Sequence, residues 1–65
     1  MTVDFEDYDG NYIATIIADE LPNLMDFVTI KTAFNKYSGR IIAIEKIYDI
    51  TINTIKAIVR INCKI

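Results

Sequence analysis

From Arg40 to Ile65 apolar and polar residues alternate, and the segment folds on paper into one long β-hairpin turning at Asn53-Thr54. In that register one side of the ribbon pairs Ile52 with Ile55, Ile50 with Ala57, Tyr48 with Val59, Lys46 with Ile61, Ile44 with Cys63 and Ile42 with Ile65. The other side pairs Thr51 with Lys56, Asp49 with Ile58, Ile47 with Arg60, Glu45 with Asn62 and Ala43 with Lys64. The first side is core and the second mostly wet, with Lys46 the one charge out of place. That lysine either snorkels past a sheet edge or sits at a subunit boundary opposite a carboxylate from the N-terminal half. Asn53 tolerates the positive φ of a tight turn and Thr54 does not, which leaves a four-residue turn as the alternative.

The same period-two pattern marks Val3 to Tyr8 and Asn11 to Ala18 as two strands joined at Asp9-Gly10, where glycine supplies the positive φ. Val3 against Ile16, Phe5 against Ala14 and Asp7 against Tyr12 share the core face. Asp4 against Thr15, Glu6 against Ile13 and Tyr8 against Asn11 share the outer one.

Between the hairpins the period lengthens. Leu24, Phe27, Ile30, Ala33, Phe34 and Tyr37 fall on one stripe at helical spacing, with Thr29, Thr32 and Lys36 opposite. Pro22 stands where a helix begins, Asn23 and Asp26 resemble a shortened capping box, and Gly39 stands where the chain leaves a helix in the left-handed region. The expectation is a helix from Asn23 to about Ser38. The fold class predicted is therefore α+β, ββαββ, with two antiparallel hairpins and one helix on a four-stranded sheet of order 2-1-4-3, forming a single domain over residues 1–65.

That topology resembles the immunoglobulin-binding domains of protein G and the wider β-grasp group. No stretch of sequence matches those domains, so their ligand is not carried over. The segment Phe34-Asn35-Lys36-Tyr37-Ser38-Gly39-Arg40-Ile41-Ile42-Ala43-Ile44 resembles the helix-glycine-basic-strand junction of small YonK-like proteins from phages of Gram-positive bacteria. This resemblance implies a phage origin.

Composition narrows the chemistry. The chain has 65 residues, no histidine and a single cysteine, Cys63, which removes disulfide frameworks and most zinc or nucleophile-base arrangements. Neither a run of 18 apolar residues nor a basic signal peptide is present, so a cytoplasmic protein without membrane insertion is expected. Asp7-Tyr8-Asp9-Gly10-Asn11 fails as a calcium loop, because with Gly10 at the sixth position Phe5 would occupy the place of the first carboxylate. No metal, cofactor or catalytic residue is expected, and the chain is read as no enzyme.

Charge is divided along the chain: residues 1–30 carry seven acids and no base, residues 31–65 seven bases and two acids. Asp4, Glu6, Asp7 and Asp9 are the candidate partner-binding residues, since carboxylates spaced along a strand imitate a run of phosphates. The function expected is a non-enzymatic interaction protein, a phage-encoded inhibitor or modulator that docks on a host protein through this acidic hairpin. The alternatives are a nucleic-acid-binding ribbon using Lys56, Arg60 and Lys64, which the overall acidity disfavours, and a structural or assembly subunit. A strand of about 12 residues spans roughly 40 Å, a helix of about 15 only roughly 23 Å. One helix cannot roof the long hairpin, so a homo-oligomer, a dimer, is expected with Ile47, Ile50, Ile52, Ile55 and Ile58 at its interface.

Overall fold

The computed structural model describes residues 1–63. Among these there are five strands and no helix: β1 (Thr2–Glu6), β2 (Tyr12–Ile17), β3 (Phe27–Lys31), β4 (Lys36–Asp49) and β5 (Thr54–Ile61). They form one mixed sheet of order β2-β1-β5-β4-β3, antiparallel except for the central β1–β5 pair, which is parallel. The sheet curls into a barrel-like, nearly closed shape, and side chains of both edge strands reach the same core: Ile30 from β3, Ile13 and Ala14 from β2. That core consists of Val3, Phe5, Ile30, Ile41, Ala57, Val59 and Ile61. No helix among the described residues is long and apolar enough to cross a membrane.

The expected α+β class is corrected by the segment from Asn23 to Ser38, which forms a second small hairpin instead of a helix. Val28, Thr29, Ile30 and Thr32 are β-branched, stiff in a helix and well suited to a pleated surface. Their burial alternates, with Ile30 inside between exposed Thr29 and Lys31. The Thr32 hydroxyl accepts hydrogen bonds from the amides of Asn35 and Phe34 at 3.1 and 3.4 Å, closing the β3–β4 turn with local chemistry that competes with helix. Of the apolar stripe, Leu24, Phe27 and Phe34 are exposed. The segment from Asn23 to Asp26 is a turn in which the Asp26 amide donates to the Asn23 carbonyl at 3.2 Å, with Met25 at a φ of 72°.

Gly39 is not a helix cap but a residue in the body of β4. A Cβ there would lie 2.6 Å from the Asn62 carbonyl oxygen, so glycine admits the backbone that follows β5. The segment Phe34 to Ile44 therefore contains no helix-to-strand junction, and the topology lacks the helix that a β-grasp domain needs. Within the sheet the two longer hairpins lie side by side as β2-β1-β5-β4, and β3 adds an edge.

The β4–β5 hairpin keeps its faces but not its register. Tyr48 pairs with Ile55, Lys46 with Ala57 and Ile44 with Val59, so the loop is the four residues Ile50-Thr51-Ile52-Asn53 rather than a two-residue turn. Asp49 stabilises that loop by accepting hydrogen bonds from the Thr51 amide at 3.0 Å and from the Thr51 hydroxyl, and Asn53 adopts a φ of 55°. A bulge at Ile42 then turns Ile41 into the core and Ile42 outward, against the expected inward place of Ile42. The expected partners Ile65 and Lys64 lie outside the described residues. In the first hairpin Val3–Ile16, Asp4–Thr15 and Phe5–Ala14 pair as read from the sequence, and a bulge after Phe5 sets Glu6 against Tyr12.

Candidate functional site: the acidic hairpin and the free edge of β4

The parallel pairing of β1 with β5 brings the acids of the first half of the chain beside the bases of the second. Asp4 lies 2.9 Å from the Lys56 ammonium, and Glu6 lies 3.2 Å from the Arg60 guanidinium. The Thr15 hydroxyl donates to Asp4 at 2.7 Å. This bond and the adjacent ammonium hold the Asp4 carboxyl below the usual carboxylate range, and Asp4 in turn raises Lys56. Arg60 extends over the first turn, where a Cβ on Gly10 would stand 3.2 Å from its Nη2; its Nε is buried with no hydrogen-bond partner among the described residues.

Asp7 is 1 % exposed. Its carboxylate accepts hydrogen bonds from the amides of Asp9 at 2.9 Å and Asn11 at 2.8 Å, and from the Asn11 side chain at 3.1 Å. It organises the turn from inside. Burial, with Asp7 nearby, pushes the Cys63 thiol up. Of the four carboxylates selected from the sequence, then, two are in ion pairs, one is a turn cap and Asp9 is exposed.

The five isoleucines selected as an interface occupy three places. Ile47 and Ile58 belong to the outer face of the sheet, with Asp4, Glu6, Lys56 and Arg60; Ile55 belongs to the inner face; Ile50 and Ile52 form the tip. Because β1 pairs with β5 only from Lys56 onward, the end of the β4–β5 hairpin runs beyond its neighbour. Tyr48, Ile50 and Ile52 are exposed there at 61, 87 and 67 %.

A further feature was not read from the sequence. β3 pairs with β4 only over Lys36 to Arg40, and hydrogen bonds from the 25–26 segment extend the contact to Ile41. From Ile42 to Asp49 the side of β4 away from β5 has no strand partner among the described residues. Beside this free edge runs an open groove of about 940 Å³ between the inner face and the 19–24 segment, its walls including Leu21, Leu24, Ile44, Tyr48 and Ile55. Lys46 lies in it, with Asp19 and Glu20 also on its lining, and makes no ion pair within 4 Å among the described residues. A charge on an otherwise apolar strand face is the signal in the sequence; the free edge beside it arises because β3, in the segment expected to be helix, pairs with β4 only as far as Arg40.

Comparison of the chain with protein-family models, curated proteins and solved structures gave no significant match.

Proposed function

We propose that this chain is a small non-enzymatic interaction protein that self-associates through the tip and outer face of the β4–β5 hairpin. The supporting observation is the apolar surface that the tip carries past the rest of the sheet, at Ile50 and Ile52, next to Ile47 and Ile58 on the outer face. Large aliphatic side chains held this far out of a core cost solubility, and an isologous dimer covers them with the same residues from a second copy. Sedimentation or light scattering at micromolar concentration is expected to give a dimer that the double substitution Ile50→Asp, Ile52→Asp converts to a folded monomer. A wild-type monomer under those conditions refutes self-association.

Docking of a host protein on Asp4, Glu6, Asp7 and Asp9 is the weaker proposal. It would require giving up two ion pairs and a turn cap, or would rest on Asp9 alone. Nucleic-acid binding through the β5 bases meets the same obstacle, since Lys56 and Arg60 already have carboxylate partners.

A further inference from the structure

We infer that the free edge of β4, Ile42 to Asp49, is a docking site for an extended segment of another polypeptide, one bearing an acidic residue followed by a basic one at the middle of a run of apolar and β-branched residues. This rests on the reading of the chain as an interaction protein but not on its self-association, which uses the tip and the outer face.

Two observations meet at this edge. Eight residues of the longest strand, rich in isoleucine and free of proline, present one side unpaired among the described residues, which is the arrangement by which an added strand gains main-chain hydrogen bonds. The groove beside them provides apolar walls for alternate side chains of such a strand, opposite Ile44 and Tyr48. Edge and groove together offer backbone pairing and side-chain selection.

The charges indicate what the segment carries. Across β1 and β5 the acids and bases are matched, Asp4 with Lys56 and Glu6 with Arg60. At the centre of the free edge Glu45 and Lys46 stand on opposite faces, and neither has an ion pair within 4 Å among the described residues. An antiparallel strand added here meets Lys46 before Glu45 as it runs from its N-terminus. Acid then base is the order that completes both pairs.

A second copy of β4 cannot supply that order. Two identical strands related by a two-fold axis normal to the sheet pair only residues on the same face, so a position faces itself on the axis and Glu45 can never oppose Lys46. The registers of greatest overlap set Glu45 against Glu45 or Lys46 against Lys46.

The test uses the Ile50→Asp, Ile52→Asp chain alongside wild type, so that dimerisation and peptide binding are read separately. Fluorescently labelled eight-residue peptides of β-branched residues are compared, one with Glu-Lys at the centre and one with Lys-Glu. The Glu-Lys peptide is expected to bind both chains and to slow amide hydrogen exchange selectively over residues 42–49. The double exchange Glu45→Lys, Lys46→Glu should weaken it on the order of tenfold and invert the preference in favour of the Lys-Glu peptide. Binding by both chains with this inversion supports the inference even if wild type proves monomeric. Equal binding of the two peptides, protection elsewhere, or no binding overturns it; so does concentration-dependent protection of residues 42–49 without peptide, which would assign the edge to a second copy.

Discussion

Asp7 and Gly39 show how single side chains set the local path of this chain. Asp7 caps two turn amides from a buried position, so Asp7→Ala is expected to destabilise the fold by about 2 kcal/mol, measurable by urea unfolding; Asp7→Asn should recover part of it, because an amide oxygen accepts the same bonds without the charge. At Gly39 the Asn62 carbonyl occupies the space a methyl group would need. Gly39→Ala should therefore cost about 1–3 kcal/mol by displacing the backbone after β5, and unfolding midpoints will show whether it does. In the sequence Gly39 followed an apolar stripe and preceded a strand, which is also where a helix cap stands. Nothing local distinguishes a glycine that frees φ from one that admits a neighbouring backbone; the difference lies in Asn62, more than twenty residues away. Gly10 was legible because its role is local.

Among elements, the two flanking hairpins were readable because their faces alternate, while β3 was hidden by a coincidence of spacing. Phe27, Ile30, Phe34 and Tyr37 fit a helical stripe, yet only Ile30 joins the buried core, and the β-branched Val28-Thr29-Ile30 run was the contrary signal. The free edge was not legible, since it exists only because β3 stops at Arg40 of β4, and the groove was not legible because it brings the distant 19–24 segment beside β4 and β5. The Thr15 hydroxyl of β2 and the Lys56 ammonium of β5, on either side of Asp4, also fix a pH response. The Asp4 carboxyl titrates lower in the folded chain than in the unfolded one, so the unfolded state binds the extra proton as pH falls. Its contribution is fully present above the unfolded carboxylate range near about 4 and disappears as pH drops through the lower folded value. Asp4→Asn should flatten the stability profile in that acid window and leave the slope at neutral pH unchanged, a comparison for thermal melts from pH 7 to pH 2.5. Lys56, raised by the same contact, keeps its contribution below the unfolded lysine range and loses it in strong alkali.

At the scale of the whole molecule, the sheet is centred on a parallel pair between opposite parts of the chain, Thr2 beside Lys56 and Glu6 beside Arg60. Such non-local pairing slows folding, and refolding in milliseconds to seconds is expected from stopped-flow, with no microsecond phase of full amplitude. Removing residues 1–7 takes away Val3 and Phe5 and the strand that flanks β5 opposite β4, so the remainder should show no cooperative unfolding transition. The same pairing bears on how the protein is made. At about 5–20 residues per second on the ribosome, β5 follows β1 by roughly 3–10 s. Through that interval the nascent β1–β2 hairpin displays Val3 and Phe5 with no sheet to receive them, and it is then that a ribosome-associated chaperone would find its client.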